Sequence, residues 1–236
     1  KSNQGVMQII HRQTLYFILC LSIFLLIFSF SGFSQEVVDK TIATVSDGSS
    51  KPELITYSDL LWQLALEPET PLNPPTSEDL NRTLQTLINL RLFALEAQRL
   101  PSAEPNKDEI EKEILRIVAN FSSKDEFERR LRSVGFDSTQ DPNFQRMMKQ
   151  RVAIEKYIEF RFRSFVIIAP DEEKKYYRDV FTPDFRRKNP GLLLQPFEEV
   201  QKEINDILTE RKIEEDIERF LDDAKRRAEI VVLFEV

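Results

Sequence analysis

Residues 41–48 read T-I-A-T-V-S-D-G, and at the other end of the chain residues 230–236 read I-V-V-L-F-E-V. In the first stretch Ile42 and Val45, with small Ala43 between them, make a short β-prone run that ends on Asp47 and Gly48, a dipeptide that favours tight turns. A second short run around Leu54 and Ile55 follows, so the pair reads as a hairpin. A lone hairpin is marginal in water, and the C-terminal run is the only other β-branched stretch. The expectation is a small antiparallel sheet to which both chain ends contribute, with the C-terminal strand near Ile230 to Leu233.

Between those ends the spacing is helical. Thr56 and Asp59 stand at capping-box distance before Leu60, Leu61 and Leu64, and the short helix they open is expected to stop at Pro68. Four prolines within residues 67–76 make a loop. Thr76 and Asp79 restart a helix with Leu80, Leu84, Ile88, Leu92 and Leu95 on one face. Asn106 with Glu109 caps the next helix, and Ser123 with Glu126 caps another that ends at Gly135. Asp141 before Pro142 opens a long helix through Phe144, Met148, Val152, Ile158 and Phe162. Pro170 starts a further helix with an acidic first turn. Residues 182–195, with Pro183, Pro190, Gly191 and the basic cluster Arg186, Arg187 and Lys188, read as a loop. From Pro196 a last helix reaches about Arg227. The fold class is therefore mainly α.

The start of the chain has the order of a secretory leader: Lys1 and Arg12, an apolar run over residues 15–30, then small residues at Gly32 and Ser34. Cleavage after Ser34 is the expectation. Retention as an anchor is the alternative, since residues 15–33 approach the ~20 apolar positions that span a bilayer. The single histidine, His11, and the single cysteine, Cys20, both lie in this leader. Their absence beyond it removes Ser-His-Asp and Cys-His catalysis, the usual zinc sites and disulfides.

The chain has 40 acidic against 33 basic residues, a net charge of −7, and nucleic acid is not an expected partner at that balance. Gly48, Gly135 and Gly191 are too few and too scattered for a phosphate-binding loop. The acid pairs Glu172 and Glu173, and the run Glu214, Glu215 and Asp216, read as solvated surface. Trp62, the only tryptophan, reads as either core or rim. Phe181, Phe185 and the triplet Leu192, Leu193 and Leu194 lie in or beside a loop, where bare apolar surface costs ~25 cal/mol per Å² unless it docks on the core or meets a partner.

Six pieces taken in order resemble the SurA-type periplasmic chaperones, relatives of the parvulin isomerases. They are V-V-D-K-T-I-A-T-V (residues 37–45), I-T-Y-S-D (55–59), L-I-N-L-R-L-F-A-L-E-A (87–97), F-E-R-R-L-R-S-V-G-F (127–136), I-E-K-Y-I-E-F-R (154–161) and I-I-A-P-D-E-E-K-K-Y-Y (167–177). The resemblance implies a SurA-like helical chaperone domain closed by the small sheet. Residues 1–34 would be the signal peptide, 35–181 the N-terminal chaperone region and 196–236 the helix and strand that complete it. Isomerase-bearing members insert a parvulin domain of roughly one hundred residues where this chain has only a linker over 182–195. The histidines and cysteine typical of parvulin sites are absent too, so no active-site residue carries over.

The expectation is an exported, ATP-independent chaperone with no catalytic residue, no metal site and no cofactor. Its partners would be unfolded or nascent exported polypeptides, including outer-membrane proteins, and it would meet the membrane only through a retained leader. A homodimer stays open. Trp62, Phe181, Phe185 and Leu193 are the candidate client contacts. Phe181 and Phe185 are favoured because Pro183 and Asp184 keep their turn near solvent, whereas Leu192 to Leu194 as a group are expected to dock on the core. The alternatives are a membrane-associated assembly protein with one fixed partner and a parvulin-lineage isomerase.

Overall fold

A computed structural model describes residues 39–48, 51–99 and 104–236; the expected leader lies outside the described residues. Strand β1 (Thr41–Ser46) pairs antiparallel with β2 (Glu53–Thr56) on one side and with β3 (Glu229–Val232) on the other. The chain ends meet as the sequence leads one to expect: Ala43 lies opposite Ile55 and Val232, and Thr44 opposite Leu54 and Val231. The β1–β2 register shifts between Thr41 and Ala43. Such an irregularity breaks strict alternation, so the consecutive residues Ile42 and Ala43 are both buried together with Val45 and Ile55. The Ile42 carbonyl accepts from Leu233 N at 2.8 Å, extending the tie to the C-terminus just past β3.

The helices start where the capping residues place them. Thr56 and Asp59 form a reciprocal capping box at the head of α1 (Tyr57–Ala65), and Thr76 caps α2 (Ser77–Ala97). Asn106 and Glu109 box α3 (Lys107–Val118), and Ser123 caps α4 (Lys124–Ser133). Asp141 caps α5 (Pro142–Ile158), with Pro142 in the first turn, where its missing N–H leaves no bond unmade. The chain turns after α4 through Gly135, whose φ of +97° is costly for any residue with a Cβ.

The end of α1 is closed by its own backbone, Leu66 N–H to the Gln63 carbonyl and Glu67 N–H to the Leu64 carbonyl, and one side chain adds to this. Arg130 of α4 donates to the carbonyls of Leu64, Ala65, Glu67 and Thr70 at 3.0, 3.3, 2.6 and 2.8 Å, which reinforces the end of α1 and pins the start of the proline-rich loop.

After α5 the chain continues helically through a π-helical segment, Glu159–Arg163. The wider i→i+5 turn explains its place. In an unbroken α-helix Phe162 would lie about 140° around the axis from Tyr157 at ~3.6 residues per turn; the π-turn brings it back. Phe162 is buried against Tyr157, Phe93 and Phe220 at ring distances of 6.1, 6.4 and 5.6 Å.

The next stretch departs from expectation. Helix α6 (Pro170–Tyr176) runs into a second π-helical segment (Tyr177–Phe181) and then α7 (Thr182–Lys188), so the first half of the loop expected over 182–195 is helix. Pro183 falls in the first turn of α7, directly after the π-turn. A proline in the first turn lacks only an N–H that an α-helix does not use there. Irregular chain begins only at Asn189, and Gly191 turns it with a φ of +89°. Two of the triplet do not dock on the core: Leu192 and Leu193 are 66% and 92% exposed, while Leu194 is half-buried.

Helix α8 (Phe197–Arg227) returns along the molecule for 31 residues, about 46 Å at ~1.5 Å per residue. Its first turns hold α6 through Glu173, which is buried, contrary to its reading as surface; its carboxylate accepts from Gln201 Nε2 at 2.8 Å and Asn205 Nδ2 at 2.6 Å. Farther on, Arg163 pairs with Glu210, and Phe220 and Ala224 reach the core beneath α2 before the chain enters β3. Among the described residues no helix is long and apolar enough to cross a membrane.

Candidate functional site

Three buried clusters share the interior among the described residues, and a groove lies where they adjoin. One cluster joins the sheet to α1 and α2, the second joins α3, α4 and α5, and the third joins α2, the end of α5 and α8. Helices α2 and α5 pack side by side. Between them lies a groove lined by Leu87, Leu90, Arg91 and Ala94 from α2, and by Arg146, Met147, Gln150 and Ile154 from α5.

Two clefts of about 430 and 420 Å³ share Arg146, Gln150 and Ile154 in their linings and so lie along one groove. On α5 the lining runs from Asn143 to Lys156, a rise of about 20 Å. That length matches about six residues of extended chain at ~3.3 Å each.

The floor of the first cleft is apolar. Leu87 and Met148 are buried, and Leu90 and Met147 are half-buried beside them. Trp62 of α1 forms the outer wall. Its ring lies 4.8 Å from that of Phe136 and its Nε1 donates to the Val134 carbonyl at 3.1 Å, so the indole is fixed from behind. Arg91 crosses the cleft, donating to Gln150 Oε1 at 2.9 Å and to Asp59 Oδ2 at 3.3 Å, while its buried Nε–H has no acceptor. Asp59 is held in turn by the Thr56 N–H, so the capping box at the head of α1 also orients a wall of the groove.

On the far side of α5, Glu113 of α3 is buried and accepts from Arg116 at 2.7 Å and from Arg151 at 2.6 Å. Burial alone would raise its carboxyl, but the hydrogen bonds and charges of the two guanidiniums outweigh it and hold the pKa below the usual glutamate value. Lys156 donates to Glu109 at 2.7 Å, and that carboxyl is also lowered, by this hydrogen bond first and then by the Asn106 N–H. These pairs clamp α3 to α5 behind the groove.

Of the four residues singled out in the sequence, the structure places Trp62 in the groove and the others on the α6–α7 arm. Phe181 and Phe185 do not stand free: Tyr177, Phe181 and Phe185 stack at ring spacings of 5.7 and 6.1 Å along one side of the arm. Phe197 caps the row at 5.6 Å from Tyr177, whose hydroxyl donates to the Gln195 carbonyl at 2.6 Å. Both phenylalanines are half-buried, and Leu193 projects into solvent at the turn beyond.

Sequence reasoning did not single out Leu90, Arg91, Arg146 or Met147. The one available signal was two methionines in succession, Met147 and Met148, in an otherwise regular helix; thioethers suit surfaces that adapt to varied partners. Among the described residues no group of three or more His, Cys, Asp or Glu is placed to hold a metal ion. Comparison of the chain with protein-family models and with curated proteins gives no match in either case.

Proposed function

We propose that this chain is an ATP-independent chaperone, SurA-like in type, that acts outside the cytoplasm. It holds extended segments of unfolded or incoming exported polypeptides, outer-membrane proteins among them, in the groove between α2 and α5. The observation that carries this reading is the groove itself: about 20 Å long, apolar along its floor, walled by a braced tryptophan and an adaptable methionine. A surface of that kind buries one or two large client side chains, while its shallowness keeps binding weak enough for release. The export context rests on the leader sequence. Helices closed by a sheet from both chain ends agree with what the resemblance implies. In this reading the chain is no enzyme, and residues 182–195 stand where the chaperones it resembles carry an isomerase.

Met147→Glu is the direct test, because it puts a charge on the groove rim at a half-exposed position. Suppression of aggregation of a heat-unfolded client should fall severalfold while the melting temperature moves by no more than about 2 °C, the size of a surface change of ~0.5 kcal/mol in a domain this long. Unchanged suppression would remove the groove from the mechanism. Prolyl-peptide isomerisation that accelerates in proportion to protein through successive purification steps would overturn the non-enzymatic part. The bare Leu192–Leu193 turn favours a second reading, one fixed assembly partner docked on the arm; a single stoichiometric partner lost with Leu193→Ser would select it.

A further inference from the structure

Five cations line the two clefts, and four of them have acids of their own. Arg91 reaches Asp59, Arg151 reaches Glu113 at 2.6 Å, Lys149 reaches Glu104 at 3.3 Å and Lys156 reaches Glu109 at 2.7 Å. Among the described residues Arg146 makes no ion pair; its one side-chain partner is the neutral Asn143 Oδ1 at 2.7 Å. It is exposed and lies in the linings of both clefts, where they meet. Arg91, whose buried Nε–H has no acceptor, is among the residues that line the first of those clefts. Where the two clefts meet, beside the apolar floor of the first, an arginine left without an acid marks the place where a carboxylate is to be supplied from outside.

Resting on the chaperone reading above, we infer that the groove selects segments in which a large apolar side chain is flanked by an acidic one. The apolar group takes the floor between Trp62, Leu90 and Met147, and the carboxylate takes the fork of Arg146. An arginine fork suits this because its planar donors match a carboxylate two by two, and it stays charged at any working pH. The acid comes from a side chain within the segment, since the groove continues past Arg146 in both directions and the bound chain runs on.

The experiment uses capped, tryptophan-free peptides of about six residues, the length the groove spans, with one apolar core and a flanking glutamate, glutamine or lysine. Binding to the full chain is read from the fluorescence of Trp62, its only tryptophan, which reports occupancy of this groove. The glutamate peptide should bind roughly three- to tenfold tighter than the glutamine one, with lysine weakest, and the spread should narrow in high salt. Arg146→Gln should erase the preference, bringing the glutamate and glutamine peptides to equal affinity, and Arg146→Glu should put lysine first. Equal affinities, or a glutamate preference that survives Arg146→Gln, would overturn the inference and leave the chaperone reading standing. No binding of any of the three would overturn both.

Discussion

At the sheet end of the molecule Ile42, Val45, Ile55, Leu60 and Leu64 are 1% exposed or less, whereas in the arm and turn over residues 170–195 the only buried residue is Glu173. The two regions also differ in where their partners come from. Strand β1 is closed by β3, which lies nearly the whole chain away, so burying its side chains requires both ends at once. The arm's contacts are mostly local, ring on ring four residues apart, with Glu173 and Tyr177 tying it to the start of α8 and the turn before it. Long-range burial makes a region cooperative, and local contacts let a region open alone. Stability should therefore be concentrated at the sheet, and the arm should tolerate change.

Deleting residues 229–236 is the harshest way to break that contrast. It removes β3, unpairs one edge of β1 and exposes Ile42 and Val45, which the remaining chain cannot cover. The expected loss is about 4 kcal/mol or more, a large share of the stability of an ordinary domain. Calorimetry should show the melting temperature falling by about 10 °C or more. A transition that stays in place would mean that the sheet is ornamental.

Between the two extremes lies the clamp behind the groove. Glu113→Gln leaves Arg151 and Arg116 without their shared carboxylate, but both guanidiniums reach solvent, so the cost should be about 1–3 kcal/mol, less than for a fully buried pair. The pH dependence has a definite sign. Because the folded carboxyl titrates below the usual value of ~4.3, its contribution is complete above that pH and is lost as the pH falls through the lower, folded value. Denaturant titrations should show the variant weaker than the parent at neutral pH and nearly equal to it in strong acid. A constant difference would show that charge is not what the clamp contributes.

The contrast between the regions also explains what the sequence disclosed. Helix starts were legible because Thr56 with Asp59, Asn106 with Glu109, and Asp141 with Pro142 act on the backbone beside them. The sheet was legible because few stretches are β-branched. The arm was misread because Pro183 counts as a breaker in a local reading, while a π-turn ahead of it makes it a first-turn proline. The burial of Glu173 was hidden for a similar reason: its amide partners stand on α8, and only packing brings them near. The groove was hidden because its lining mixes core residues such as Leu87 and Ile154 with polar ones such as Arg91 and Gln150, and becomes a groove only once α2 and α5 lie together. Trp62, which reads in the sequence as either core or rim, lines the groove.

The smallest expected effect is at the turn beyond α7. Leu192→Ser with Leu193→Ser removes two side chains that bury little, so there is no cavity to open and little apolar transfer energy to lose. Stability should change by less than about 0.5 kcal/mol, and solubility should rise. The outcome that matters is a larger one. If the double variant melted several degrees lower, the leucines would have to be covered in solution, by a second copy of the chain or by the core after a movement of the arm. Sedimentation of the parent chain separates those cases: a dimer that the variant loses would make the turn an interface, and a monomer throughout would make it a patch that folds back. Equal melting with a monomeric parent leaves the arm as the permissive region of the molecule and the sheet as the one that holds it together.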